Sequence, residues 1–157
     1  VEWYEAEILR MNAENEKISE EAVPVKSLAF FHIPLVEYNH AFKEGENGRF
    51  IPSGECEILF GEQWESVGSS THNTGMFDAM LEKGGQAVFC GHDHINDWCA
   101  IYKGIHLCYN LPGGYAVYNM GDKFGKPESE WVEGVTLTTI HNDGSFDIRH
   151  RYNKIFL

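Results

Sequence analysis

The stretch "VFCGHDHINDWC" places two histidines, His92 and His94, one residue apart behind a glycine that closes an apolar run. Imidazole suits Zn, Mn and Fe, and a glycine just past a buried strand lets the backbone turn sharply without a side-chain clash. In open α/β sheets, the ends of the strands are where ligands collect. Two imidazoles leaving such a turn can serve one pocket without sharing an ion. A lone HxH pair is unspecific, because histidine pairs also decorate strand surfaces. His32 strengthens the pattern, since "LAFFHIPL" is a second apolar run that delivers a histidine where it gives out. Alone, His32 would read as a core histidine donating to a carbonyl. Two runs that each end on histidine point to a convergent site. A competing set, Cys90, His92, His94 and Cys99, has the donors of a structural zinc site. Cys90 belongs to the apolar strand, however, and the spacing matches no Cys/His module.

The elements that must hold these groups can be read in turn. "VEWYEAEILRMNAENEK" carries Tyr4, Ile8 and Met11 at helical spacing and predicts an amphipathic helix. "VKSLAFFHIPL" predicts a buried strand that stops near Ile33. Residues 37–70 are polar and glycine-rich without a clean period, and read as a long surface insertion. A stretch of that length is more often functional than decorative. "THNTGMFDAMLEKGG" predicts a short helix with Met76, Phe77, Met80 and Leu81 on one face. Thr74 or Asn73 is its cap and Gly84 its stop. "QAVFC" and "GIHLCYNL" read as short buried strands, and "VTLTTIHNDGSFDIRHRY" as a hairpin around Asn142-Asp143-Gly144. Cys99 and Cys108 flank "AIYKGIH", a candidate hairpin, and read either as a disulfide or as two buried thiols. Helices and strands alternate early and antiparallel pairing dominates late, so the class is α/β.

At 157 residues and 43% hydrophobic, the chain suffices for one domain, 1–157, with a real core. Twelve Lys and Arg stand against 24 Asp and Glu, a net charge of −12. That field repels nucleic acid and anionic lipid, and no apolar run is long enough to span a bilayer. Neither nucleic acid nor membrane is an expected partner. The chain starts on Val1 inside the predicted helix, which suggests a piece of something larger.

With His32 and Gly91-His92-Asp93-His94 together, the sequence resembles the C-terminal half of a calcineurin-like metallophosphoesterase. The similarity is nearest to the branch of purple acid phosphatases and fungal Dcr2-type phosphatases. It covers residues 1 to about 120 and fades over "NMGDKFGKPESEWVEG". The resemblance implies a layered α/β/β/α sandwich with a mixed sheet and a C-terminal hairpin, of which this chain supplies about half. It also implies two divalent or trivalent ions (Mn, Fe or Zn), with His32 and His92 binding one and His94 the other. The implied reaction is hydrolysis of phosphate monoesters by a metal-activated hydroxide.

Three earlier family blocks, Asp-x-His, Gly-Asp and Gly-Asn-His-Asp/Glu, are missing. Gly121-Asp122 follows the histidine motif instead of preceding it and receives no role. No catalytic residue is therefore identified. The isolated chain is expected to be inactive, to lack the N-terminal half that completes it, and to self-associate through an uncovered sheet edge. Asn96 and Asp97 are candidates to hydrogen-bond the ligating imidazoles, or else to build the turn. Glu37 and Tyr38 are candidates to line a substrate pocket, and Tyr115 and Tyr118 to face it. Asp93, between the histidines, is expected to point away. The alternative function is a non-catalytic metal- or protein-binding module that keeps part of the fold.

Overall fold

The computed structural model describes residues 1–114 and 116–153. Its helices are α1 (Glu2–Ile18), α2 (Met76–Glu82) and α3 (Met120–Phe124). Its strands are β1 (Ser27–Phe30), β2 (Phe42–Glu44), β3 (Phe50–Pro52), β4 (Glu57–Phe60), β5 (Gly85–Cys90), β6 (Cys99–Tyr102), β7 (Ile105–Tyr109), β8 (Gly134–Ile140) and β9 (Phe146–Tyr152). Five of them form the main sheet in the order β1-β5-β7-β6-β4. Strands β1, β5 and β7 run parallel, whereas β6 and β4 are antiparallel to their neighbours.

Alternation along β5 builds the layers, because successive side chains of a strand face opposite sides of the sheet. Val88 and Cys90 pack with Leu107, Tyr109, Trp98 and Tyr38, and with Phe77 and Met80 of α2. Ala87 and Phe89 pack on the other face with Cys99 and Cys108, against Phe146 and Ile148 of β9. The β8–β9 hairpin thus lies over one face and α2 over the other. The result is an α layer, a mixed sheet and a second β layer, as expected from the sequence. The hairpin turns at Asn142-Asp143-Gly144, with Ile140 paired to Phe146.

Several local expectations change. β1 ends at Phe30, before Ile33, and is only half-buried. It is an edge strand with a neighbour on one side, so Phe30 stays 61% exposed while stacking on Phe89 at 4.6 Å. In α1 only Ile8 is fully shielded and Met11 is exposed. The helix is tied instead by the Tyr4 hydroxyl at 2.8 Å from Ser27 Oγ. Gly75 occupies the N-cap of α2, and Asn73 contributes two residues further out by accepting the Gly75 N–H.

The largest difference lies in 37–70, expected as a surface insertion. Here the chain forms a 3-10 turn (Val36–His40), pairs β2 with β3, and adds β4 to the main sheet. Tyr38 and Ala41 within it are fully buried. Its polar and glycine residues make the turns, while isolated apolar residues between them enter the core. Cys99 and Cys108, opposite each other across β6 and β7, form a disulfide.

Candidate functional site

Parallel pairing brings the histidines together. Because β1 and β5 run side by side in the same direction, their carboxyl ends emerge at one edge of the sheet. The ladder continues past the strands, with Phe31 N donating to Phe89 O and Gly91 N to His32 O, both at 3.1 Å. His32 and His92 consequently leave the sheet as neighbours. His92 Nδ1 lies 3.3 Å from His32 Nε2, with the rings nearly perpendicular. Two nitrogens bound to one zinc at about 2.0–2.1 Å and a tetrahedral angle would stand about 3.4 Å apart. The separation matches that of two donors on one ion, and it is also that of a direct hydrogen bond between the two rings.

His94 lines the same cleft, of about 310 Å3, together with His32, His92 and the 110–114 segment. Its ring packs on Tyr118 at 4.5 Å, and its buried Nδ1 has no hydrogen-bond partner among the described residues. No group of three His, Cys, Asp or Glu side chains placed to hold an ion occurs among the described residues. The imidazoles alone fit one ion incompletely and do not make a site for two.

The backbone that carries His92 is unusual. His92 has φ +74°, whereas Gly91 is not in the left-handed region, and a Cβ at Gly91 would meet only an ordinary 3.7 Å contact with His32. The sharp turn expected at the glycine is therefore made by the histidine. Asp93 N donates to Gly91 O at 2.9 Å, the bond that closes a γ-turn of the strained, positive-φ kind. Such a conformation in a non-glycine residue costs about 1–3 kcal/mol and persists only where its surroundings enforce it.

Those surroundings are the other polar residues of the motif. Asp93 is buried; its carboxylate accepts the Tyr109 hydroxyl and, with both oxygens, the Gly68 N–H at 3.0 and 3.1 Å. The carboxylate is turned into the protein, yet Asp93 still lines the cleft with the histidines, so it does not point away from them. Burial, with the Cys90 thiol and Asp93 nearby, holds the Tyr109 hydroxyl well above its ordinary pKa, so it remains a donor.

Asn96 and Asp97 do not touch the imidazoles. Asn96 is fully buried; its Oδ1 accepts the N–H groups of Trp64 (2.9 Å) and Glu65 (3.1 Å), and its Nδ2 donates to Glu65 O. Asp97 accepts the Glu62 N–H and the Tyr152 hydroxyl. They build the turn and anchor the 62–68 segment. Glu65 in turn accepts the Tyr118 hydroxyl at 2.7 Å. Burial first, and Glu65 second, push the Tyr118 pKa up to about 12.

Neither Glu37 nor Tyr38 lines the histidine cleft. Tyr38 is fully buried, and its hydroxyl donates to Val88 O at 2.9 Å. Glu37 accepts from Asn73 Nδ2 at 2.8 Å. Both were drawn inward by the 3-10 turn that follows Leu35. Tyr118, a candidate to face the pocket, packs on the ring of His94, and Tyr115 lies outside the described residues. The structural-zinc set does not form, because Cys99 is bonded to Cys108 and Cys90 is a buried thiol held protonated by burial. Sequence reasoning missed Glu65, Gly68 and Tyr109. Only "PGGYAVY" near Tyr118 hinted at a close backbone approach.

Fold and site define a layered α/β protein with a histidine-lined cleft at the carboxyl ends of parallel strands. The chain belongs to the metallophosphoesterase superfamily, among purple acid phosphatase-like proteins and Dcr2-type phosphatases. It is 31% identical over 118 residues to "probable inactive purple acid phosphatase 29" of Arabidopsis thaliana, covering 74% of this chain and 27% of that protein. It is 37% identical over 92 residues to "probable inactive purple acid phosphatase 14" of the same plant, 58% of this chain and 20% of the relative. With "phosphatase DCR2" of Saccharomyces cerevisiae, identity is 34% over 91 residues, 55% of this chain and 15% of the relative. The matched segment spans about a quarter of the length of the first of these relatives. No family model matches the chain. No solved structure matches it either.

Proposed function

We propose that this chain is the C-terminal portion of a phosphatase domain that hydrolyses phosphate monoesters when complete. In this reading His32 and His92 hold one metal ion and His94 belongs to the shell of a second. The observation that carries it is the 3.3 Å approach of His92 Nδ1 to His32 Nε2 where two parallel strands end. Bound divalent ions supply Lewis acidity and an activated water for phosphoryl transfer. The chain's own residues orient the imidazoles: Asp93 and Gly68 hold the turn at His92, and Tyr118 packs on His94. The exposed edge at Phe30 is where the remainder of the domain would join, and where the isolated chain would self-associate.

Activity needs more donors than the described residues bring together, so the 157-residue chain is expected to hydrolyse p-nitrophenyl phosphate no faster than its His92→Ala/His94→Ala variant, with Mn2+ or Zn2+ present. A longer polypeptide carrying the Asp-x-His and Gly-Asn-His blocks should be active and lose activity on His92→Ala. Turnover by the short chain that vanishes in the double variant would overturn the expected inactivity. A second reading, a non-catalytic metal- or protein-binding module, draws on the two plant relatives whose names call them probably inactive. A longer polypeptide that binds metal without turnover would favour it.

A further inference from the structure

Three non-glycine residues among those described have positive φ: Asn47, Lys103 and His92. Asn47 and Lys103 are each followed by a glycine in a tight turn between short strands. His92 stands instead between Gly91 and Asp93 at the mouth of the cleft. Something outside its own sequence neighbourhood has to keep it there.

We propose that Asp93 and Gly68 form a latch that positions His92, Asp93 acting on the ring through the Gly68 backbone. Both Asp93 oxygens hold the Gly68 N–H, and the Tyr109 hydroxyl fixes the carboxylate from the core side. The latched backbone lies against the Cδ2–Nε2 edge of His92. A Cβ at Gly68 would come within 2.6 Å of His92 Cδ2 and 2.9 Å of Nε2, and also within 2.6 Å of Asp93 Oδ1. Only glycine fits that approach. With one edge of the imidazole against the loop, Nδ1 is left facing His32. Nδ1 is then the nitrogen that His92 turns toward a cation shared with His32. This consequence rests on the metal reading above; the latch itself does not.

The test uses the 157-residue chain labelled with 15N. Metal-free, nuclear Overhauser contact between His92 Hδ2 and Gly68 Hα, and slow exchange of the Gly68 amide, report the latch. Zn2+ is then titrated while the imidazole nitrogens are followed. In the native chain, zinc should shift His92 Nδ1 and His32 Nε2. In Asp93→Ala the contact should vanish, the Gly68 amide should exchange at least about tenfold faster, and zinc affinity should fall about 10- to 100-fold, as it does when outer-shell partners are removed. Asp93→Asn, which keeps one acceptor oxygen, should recover part of each. A structural role alone would not change which nitrogen responds. An Asp93→Ala protein that keeps the contact and the Nδ1 response overturns the proposal, and so does zinc on Nε2 in the native chain. If native histidines ignore zinc, the metal reading fails and the metal-free contact and exchange still decide the latch. Should Asp93→Ala not fold, Gly68→Ala decides, since it retains the Asp93–Tyr109 bond. It should displace the His92 ring with the sheet intact, and an unmoved ring would refute the latch.

Discussion

Within the turn from Gly91 to Asp97, two sets of polar side chains have opposite environments. Asp93, Asn96 and Asp97 face inward, are nearly or fully buried, and are bonded to backbone or hydroxyl groups from segments 62–68, β7 and β9. His92, together with His32 across the strand ends, is exposed and meets another imidazole. Asn96 and Asp97, read as partners of the imidazoles or as turn builders, and Asp93, read as a spacer, hold the loop, and the rings of His32 and His92 stay available. A buried polar group that loses its partner is costly, whereas an exposed one is not. Substitutions on the two sides should therefore separate stability from ligand binding.

The largest effect is expected at Asn96. Asn96→Ala removes the acceptor for two backbone N–H groups and a donor to Glu65 O in a fully buried place. Loss of about 3 kcal/mol is expected from the orphaned groups and the cavity, read as a lower urea midpoint. A near-native midpoint would mean that the 62–68 segment is held by something else.

A smaller effect, outside the turn, comes from His150. Its Nε2 lies 3.1 Å from Tyr109 O, and burial lowers its pKa despite the opposing pull of Asp97 and of that carbonyl. A depressed folded pKa favours the neutral ring, so its stabilising contribution is complete above the unfolded value of about 6.5 and is lost as pH falls through the folded value. The melting temperature should drop between pH 7.5 and 5.5, and His150→Gln should flatten that part of the drop. An unchanged pH slope in the variant would exclude His150 as its source.

The smallest effect on stability belongs to the ligand side. His32→Ala changes an exposed residue and should shift the unfolding free energy by less than about 0.5 kcal/mol. A loss as large as that of Asn96→Ala would erase the contrast between the two sets.

The same contrast explains what the sequence disclosed. Histidines at the ends of apolar runs were legible because strand ends and glycine punctuation are local signals. The hairpin about Asn142-Asp143-Gly144 was legible for the same reason. Residues 37–70 were not: their strands are three or four residues long, too short to display alternation, and Tyr38 and Ala41 enter the core singly. Asp93 looked like a spacer because its partners, Gly68 and Tyr109, lie 25 and 16 residues away. Asn96 and Glu65 are likewise joined only in space, across 31 residues.

Isothermal titration of Zn2+ into the native chain and into His32→Ala, His92→Ala and His94→Ala most directly tests whether the paired imidazoles are a metal site. One weakly held ion is predicted, abolished by His32→Ala and by His92→Ala and retained in His94→Ala. Equal binding by all four proteins, or binding that disappears only with His94, would contradict it.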